Sequence, residues 1–366
     1  MSSGKGNRKK IKLWLKAVLI LLPVIVGVFL LFILSFFPYV TEIFFSRGVF
    51  FVLSNIVGFI SGLFPFSVTE ILLYIIIAAI LLCVILMILK KIKVRAFFKG
   101  VAVILSCCFF LCVVFYGINF YRMSIYDLMG YDKDITFSAR QVYEACIKIG
   151  EKAEKEKQKL STDKNGHMIL SENISITLKN AKKGYMNIVP EYEFLFVPST
   201  NVKEVMISPL WSYTGVSGIY IPVLCEPNIN TDVPACQIPF NASHELAHAC
   251  GFAREDECNF IAYIACVNSD SADYRYSGYL SAYIYLSKEL WKIDRGLYSD
   301  AYTSLSSDIK VDIIAIEEYW QQFDGKLMDV SESINDTFIK AHGVKNGVLS
   351  YDDVAFLILC YEVGKG

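Results

Sequence analysis

The pattern of apolar and polar positions changes character about a third of the way along the chain. Before residue 120 apolar residues follow one another in long aperiodic runs; after Tyr121 they recur with the period of amphipathic helices or short strands. Residues 13–36, 68–89 and 97–120 each provide the ~20 apolar residues that carry a helix through a bilayer. The first run is interrupted by Lys16 and Pro23, exceeds a signal-peptide core and is followed by no small-residue cleavage pattern, so it reads as an uncleaved anchor. Residues 49–64 are apolar except for Ser54, Asn55, Gly58, Ser61 and Gly62, which fall on one helical stripe. That segment is short for a crossing and is expected to lie in the membrane interface.

Charge then orients the three spans. Lys5, Arg8, Lys9, Lys10, Lys12 and Lys16 precede or open the first, and Lys90, Lys91, Lys93, Arg95 and Lys99 link the second to the third, whereas residues 37–67 hold only Arg47. The positive-inside bias puts the tail 1–12 and the second link in the cytoplasm, and residues 121–366 outside it. The formal net charge of -1 offers no basic field for a nucleic acid. None of the 11 cysteines forms a C-x-x-C pair, and only Cys225 and Cys236 are placed to bridge.

In the outer part, residues 138–160 are expected to form a helix capped by Ser138, with a solvated charged tail, and Asp163 to Gly166 a turn. Residues 191–198, 202–209 and 213–223 have the β-branched and aromatic content of strands, and Gly215 and Gly218 in the third mark a bulge or a close backbone approach. Helices are expected over 238–250, 254–268, 274–292, 299–323, 334–342 and 350–363.

The first of these helices carries Ser243-His244-Glu245-Leu246-Ala247-His248. Two histidines at i and i+4 share a helix face, so both imidazoles reach one cation, and the intervening Glu245 flanks its water as a general base. With 4 His in 366 residues, ~0.002 chance matches to H-E-x-x-H are expected. Catalytic zinc takes a third protein ligand and leaves a fourth position open. Carboxylates follow in Arg254-Glu255-Asp256-Glu257-Cys258-Asn259. Gly251 is expected to stop the first helix and turn the chain back. Glu255 and Asn259, at i and i+4, then share a face that Glu257 does not, so a ligand and an orienting amide could both point at the metal. Tyr276 or Arg275 is a candidate donor to a developing oxyanion. His167 and His342 have no partner at metal spacing.

H-E-L-A-H followed by Glu255, Glu257 and Asn259 resembles the gluzincin arrangement, which implies His244, His248 and Glu255 as zinc ligands. More closely, TGVSGIYIPV, HELAHACGFAREDECNF and YRYSGYLSAY, together with the three-span start, resemble a bacterial family of multi-spanning proteins of unknown function, DUF3810. Cys250 and Cys258 depart from the small or polar residues expected there. The resemblance brings no substrate. The expected fold is α+β, a mainly helical zincin-like extracytoplasmic domain on a three-helix anchor (13–120) in the bacterial inner membrane. The expected function is a zinc-dependent peptidase that cleaves a peptide or protein substrate with zinc-activated water. A sensor or envelope assembly factor without turnover, and a cell-envelope amidase, are the alternatives.

Overall fold

The computed structural model describes residues 3–341 and 353–364. His342 and the predicted helix start at 350–352 fall outside them, as do the side chains of Lys5, Arg8, Lys9, Lys10 and Lys12. The protein is mainly helical, with one three-stranded sheet. Among the described residues three helices are long and apolar enough to cross a membrane, Pro38–Gly62, Val68–Ile88 and Val94–Tyr121. The expected first span is the helix Ser3–Leu34, whose apolar part is Val18–Leu34. The segment expected at 49–64 is longer than its sequence stripe implied, since it continues a π-helical stretch, Thr41–Phe50, into the helix Phe51–Gly62.

This collar helix, Pro38–Gly62, is held to the polar two thirds of the chain at both ends. Near its start Glu42, fully buried, accepts two hydrogen bonds from Arg122, which also donates to the Gly251 carbonyl. Removing one partner from such a buried pair costs about 3–5 kcal/mol, because the other charge is left desolvated. Farther along, Asn55 accepts from the Ser199 hydroxyl and amide, and Gly58 and Gly62 approach Thr200 and the Ser199 carbonyl too closely for larger residues. The stripe legible in the sequence is therefore the face turned to the rest of the protein. Away from that face Tyr39, Phe44 and Phe59 are exposed.

The helix Val68–Ile88 leaves the sheet and Val94–Phe115 returns to it. Ser67 caps the first and donates to Asn228, while the buried Glu226 carboxylate accepts the Val68 and Thr69 amides. An anion at a helix N-terminus stabilises it by about 0.3–1 kcal/mol, more when partly buried. None of the apolar window of Val68–Ile88 is buried inside the protein. Val94–Phe115 packs along Ser3–Leu34, where Gly27 meets Phe109 and Val113. Its chain continues as the 3-10 turn Gly117–Tyr121, buried beneath the polar part.

The sheet order is β1 (Lys203–Glu204), β3 (Glu226–Ile229), β2 (Gly218–Ile221), with β1 parallel and β2 antiparallel to β3. Residues 191–198 form no strand, and the strands expected at 202–209 and 213–223 shrink to β1 and β2. β3 was not expected: Glu-Pro-Asn-Ile reads as a loop, and its polar side chains are buried because they clamp the start of Val68–Ile88. The helix Ile174–Ile188 was also unexpected; Gly184 lets it touch the Ala265 carbonyl of the helix Glu255–Val267. Ser138 caps Ala139–Lys157 with a full capping box. The charged tail of that helix is not simply solvated, since Glu156 pairs with Arg275 and Lys157 with Asp312, and both are buried. The helix expected over 299–323 breaks into Arg295–Ser304 and Ser307–Gln321. Cys225 and Cys236 are separate buried free thiols.

Candidate metal centre

The H-E-L-A-H sequence lies on the helix Ile238–Ala249, which opens with Pro239 near its N-terminus and ends at Gly251 in the left-handed region (φ 82°), whose amide returns to the His248 carbonyl. The turn delivers the chain into the helix Glu255–Val267. The two helices pack together, and His244, His248 and Glu255 converge so that one ligand atom from each lies within 4.8 Å of the others. His244 Nε2 stands 3.1 Å from Glu255 Oε2, and His248 Nε2 stands 3.7 Å from Oε1. Two atoms coordinated at ~2.05 Å in a tetrahedron stand about 3.3 Å apart, so this spacing suits one small cation.

The other ring nitrogens decide the tautomers. His248 Nδ1 lies 2.9 Å from the Phe252 carbonyl, which can only accept, so Nδ1 carries the proton and Nε2 presents a lone pair. Burial pushes the His248 pKa down to about 4, which keeps the ring neutral. His244 Nδ1 lies 2.8 Å from Asn259 Oδ1 and is oriented the same way. For His244, burial opposes the charged form but the Glu255 carboxylate outweighs it and raises the pKa. In both rings Nδ1 is bonded to an oxygen and Nε2 faces Glu255, the orientation that a histidine metal ligand needs; without an ion the Glu255 carboxylate favours the charged form of His244. Glu257, one residue pair along, turns instead into the base of the protein and accepts the Ile125 amide at 2.9 Å.

Glu245 is 4 % exposed, and its Oε2 has no hydrogen-bond partner among the described residues. Burial raises its pKa to about 8; the His244 charge opposes this and the Glu255 charge adds to it. Gly218 of β2 lies directly against the Glu245 carboxylate, the close approach that its place in a strand foreshadowed. β2 is an outer strand of the sheet.

Neither candidate oxyanion donor has a free polar end. The Tyr276 hydroxyl donates to Asp312 at 2.5 Å inside the core, and Arg275 binds Glu156 and the Ser269 carbonyl. Both precede the site-facing part of Ala272–Ile293. Tyr285, nine positions beyond Tyr276 and so half a helical turn round, has its pKa raised first by burial and then by the Glu255 charge, and its ring lies 6.3 Å from Phe240 of the H-E-L-A-H helix. Nothing in its sequence context separates Tyr285 from the other tyrosines of Ala272–Ile293; only knowledge of which helix face meets Phe240 does. His167 pairs with Asp163 on the surface. A cleft of about 530 Å³ lined by Arg47, Tyr131, Glu191 and Tyr361 includes none of the converging residues.

Membrane-length helices and a partly buried His-His-Glu cluster thus define the class to which this chain can be compared. A family model described as a protein of unknown function (DUF3810) matches residues 45–359, and the chain belongs to that family. The match starts inside the collar helix and leaves Ser3–Leu34 outside it. No curated protein and no solved structure matches the chain.

Proposed function

We propose that this protein is a membrane-anchored zinc peptidase, with a zincin-like domain outside the cytoplasm of a bacterial cell. The observation that carries the reading is the pairing of a three-donor cluster with a buried carboxylate one residue from a donor, whose Oε2 has no hydrogen-bond partner among the described residues. A purely structural site has no use for that carboxylate. His244, His248 and Glu255 would hold the ion, with Asn259 and the Phe252 carbonyl fixing the imidazole rings. Zinc supplies, when bound, the Lewis acidity that brings the pKa of a water toward ~7. Glu245 takes the proton of the attacking water at Oε2 and passes it to the leaving amine. The outer edge of β2 offers backbone groups to an extended chain, which favours a peptide over a compact substrate.

For the orientation, the supporting facts are the lysines and arginines at 90–99 against the single Arg47 between residues 37 and 67. The test is metal analysis of the purified full-length protein together with a peptidase screen comparing wild type and Glu245→Gln. Stoichiometric zinc in both proteins with cleavage only by the wild type is expected. Protein that stays metal-free after zinc-replete expression would sink the proposal. Zinc without turnover in either protein would favour a sensor or assembly factor.

A further inference from the structure

The His-His-Glu cluster stands where the apolar helices meet the polar domain, and three contacts place it there. Tyr116 caps the apolar helix Val94–Phe115; its ring centroid is 5.8 Å from that of His248, and its hydroxyl donates to the Ala253 carbonyl. That separation is about one helical turn. Phe50 of the collar helix presses on Gly251, three residues beyond His248, and joins Phe115, Tyr220 and Ala249 in one buried cluster. The strand β2, after passing Glu245 at Gly218, runs into the turn Pro222–Leu224, which packs on the end of the same apolar helix.

The collar helix sets the level of the bilayer. Glu42 is tied to Arg122 and Gly62 abuts the Ser199 carbonyl, so both ends are fixed to one domain. Those residues are at most about 30 Å apart along the axis, since the π-helical first half rises less than the α-helical 1.5 Å per residue, and this is close to the thickness of the hydrocarbon core. A crossing helix held this way would draw the polar domain through the bilayer; a helix lying flat along the surface would not. Its exposed Tyr39, Phe44 and Phe59 then face lipid, as does Met206 beside the start of Val68–Ile88. One helix diameter, about 10 Å, separates that lipid face from Gly251 and the end of the H-E-L-A-H helix.

We infer that the substrate is a polypeptide held at the bilayer surface by its own membrane anchor, cut close to that anchor. A chain extended along the outer edge of β2 has one end at Gly218 over Glu245 and the other at Pro222, against the apolar helix. A segment emerging from the membrane reaches the cluster in that register without a long spacer. The inference rests on the peptidase reading, and two measurements separate their failures.

The first needs no activity. Full-length protein with Tyr116→Trp, and separately Phe115→Trp, is placed in phosphatidylcholine vesicles with and without dibrominated acyl chains. The emission added over wild type is expected to be quenched by the brominated lipid. Unquenched emission from a folded variant overturns the inference whatever the enzyme does. The second measurement gives the same vesicles peptides bearing one palmitoyl chain and spacers of increasing length, and maps the cut by mass spectrometry. Cleavage is expected within about eight residues of the anchor, roughly 26 Å of extended chain. Cuts only beyond longer spacers, or equal turnover of the unanchored peptide, overturn the inference and leave the peptidase standing. Quenching without cleavage of any peptide sinks both.

Discussion

Gly218 lies so close to the Glu245 carboxylate that a Cβ at residue 218 would stand 2.4 Å from Oε1 and 2.8 Å from Cδ. The contact joins the sheet edge to the proposed base, and no side chain fits between them. Gly218→Ala must push Glu245 aside while leaving His244, His248 and Glu255 untouched. Turnover should fall about 100-fold, the scale of a catalytic group misplaced by an ångström, with zinc content unchanged. Steady-state kinetics beside metal analysis tests this, and full activity in the variant would contradict the assigned role of Glu245.

The two glutamates of the second helix should separate cleanly under a graded chelator. Glu255→Gln loses a donor 3.1 Å from His244 Nε2 and should release zinc at far lower chelator than wild type. Asn259→Ala removes the oxygen that orients His244 and should cost about 10-to-100-fold in affinity. Glu257→Gln should keep its metal, because that side chain serves the Ile125 amide and Arg254. Zinc lost from Glu257→Gln and kept by Glu255→Gln would reverse the assignment.

The shared face of Glu255 and Asn259 was legible because it depends only on helical period and on where one helix starts, and the structure starts that helix at Glu255. The place of Tyr276 was not legible, since sorting the tyrosines of Ala272–Ile293 requires knowing which neighbour each face meets. Tyr276 meets Asp312, which lies on a helix far along the chain. β3 was hidden for a related reason. Glu226 and Asn228 look like loop residues until the start of a membrane-length helix is placed beside them. The polar stripe of the collar helix was visible, but its length was not, because the π-helical stretch before it carries the buried Glu42 and Ser46 that break the apolar run.

Tyr276→Phe tests the reassignment of that tyrosine to the core. The hydroxyl donates to a buried carboxylate that also pairs with Lys157, and losing one such bond costs about 1.5–3 kcal/mol. The melting temperature should drop while zinc content and turnover per folded molecule stay at the wild-type level. A large fall in kcat with unchanged stability would restore Tyr276 to the chemistry.

Glu245 also makes the stability of the metal-free protein depend on pH. Its pKa rises from 4.5 to about 8 on folding, chiefly through burial, so between those values the native state binds a proton that the unfolded state does not. Stability then falls as pH rises through that window. Glu245→Gln removes this slope; above 6.5 the depressed His248 adds almost nothing, being neutral in both states, while the raised His244 adds a slope of the same sign to both proteins. Thermal unfolding in excess chelator should show the variant gaining on wild type from pH 6.5 to 8. A constant or shrinking gap would mean that Glu245 is not held protonated by burial.

Reporter fusions settle the side on which the domain stands. The turn after Val68–Ile88 carries Lys90, Lys91, Lys93 and Arg95, and the returning helix ends at the domain through Tyr116 and Asn119. If the basic turn is cytoplasmic, a fusion after Lys93 reads inside and one after Tyr131 reads outside. The collar helix is the segment that could reverse this result, being apolar and 25 residues long. Its attachments at Glu42 and Gly62 to one domain argue that it does not cross, so an additional fusion after Phe66 should read outside, like the one after Tyr131. Inside readings at both Phe66 and Tyr131, with Lys93 reading outside, would require the collar to span the bilayer and the cluster to work in the cytoplasm.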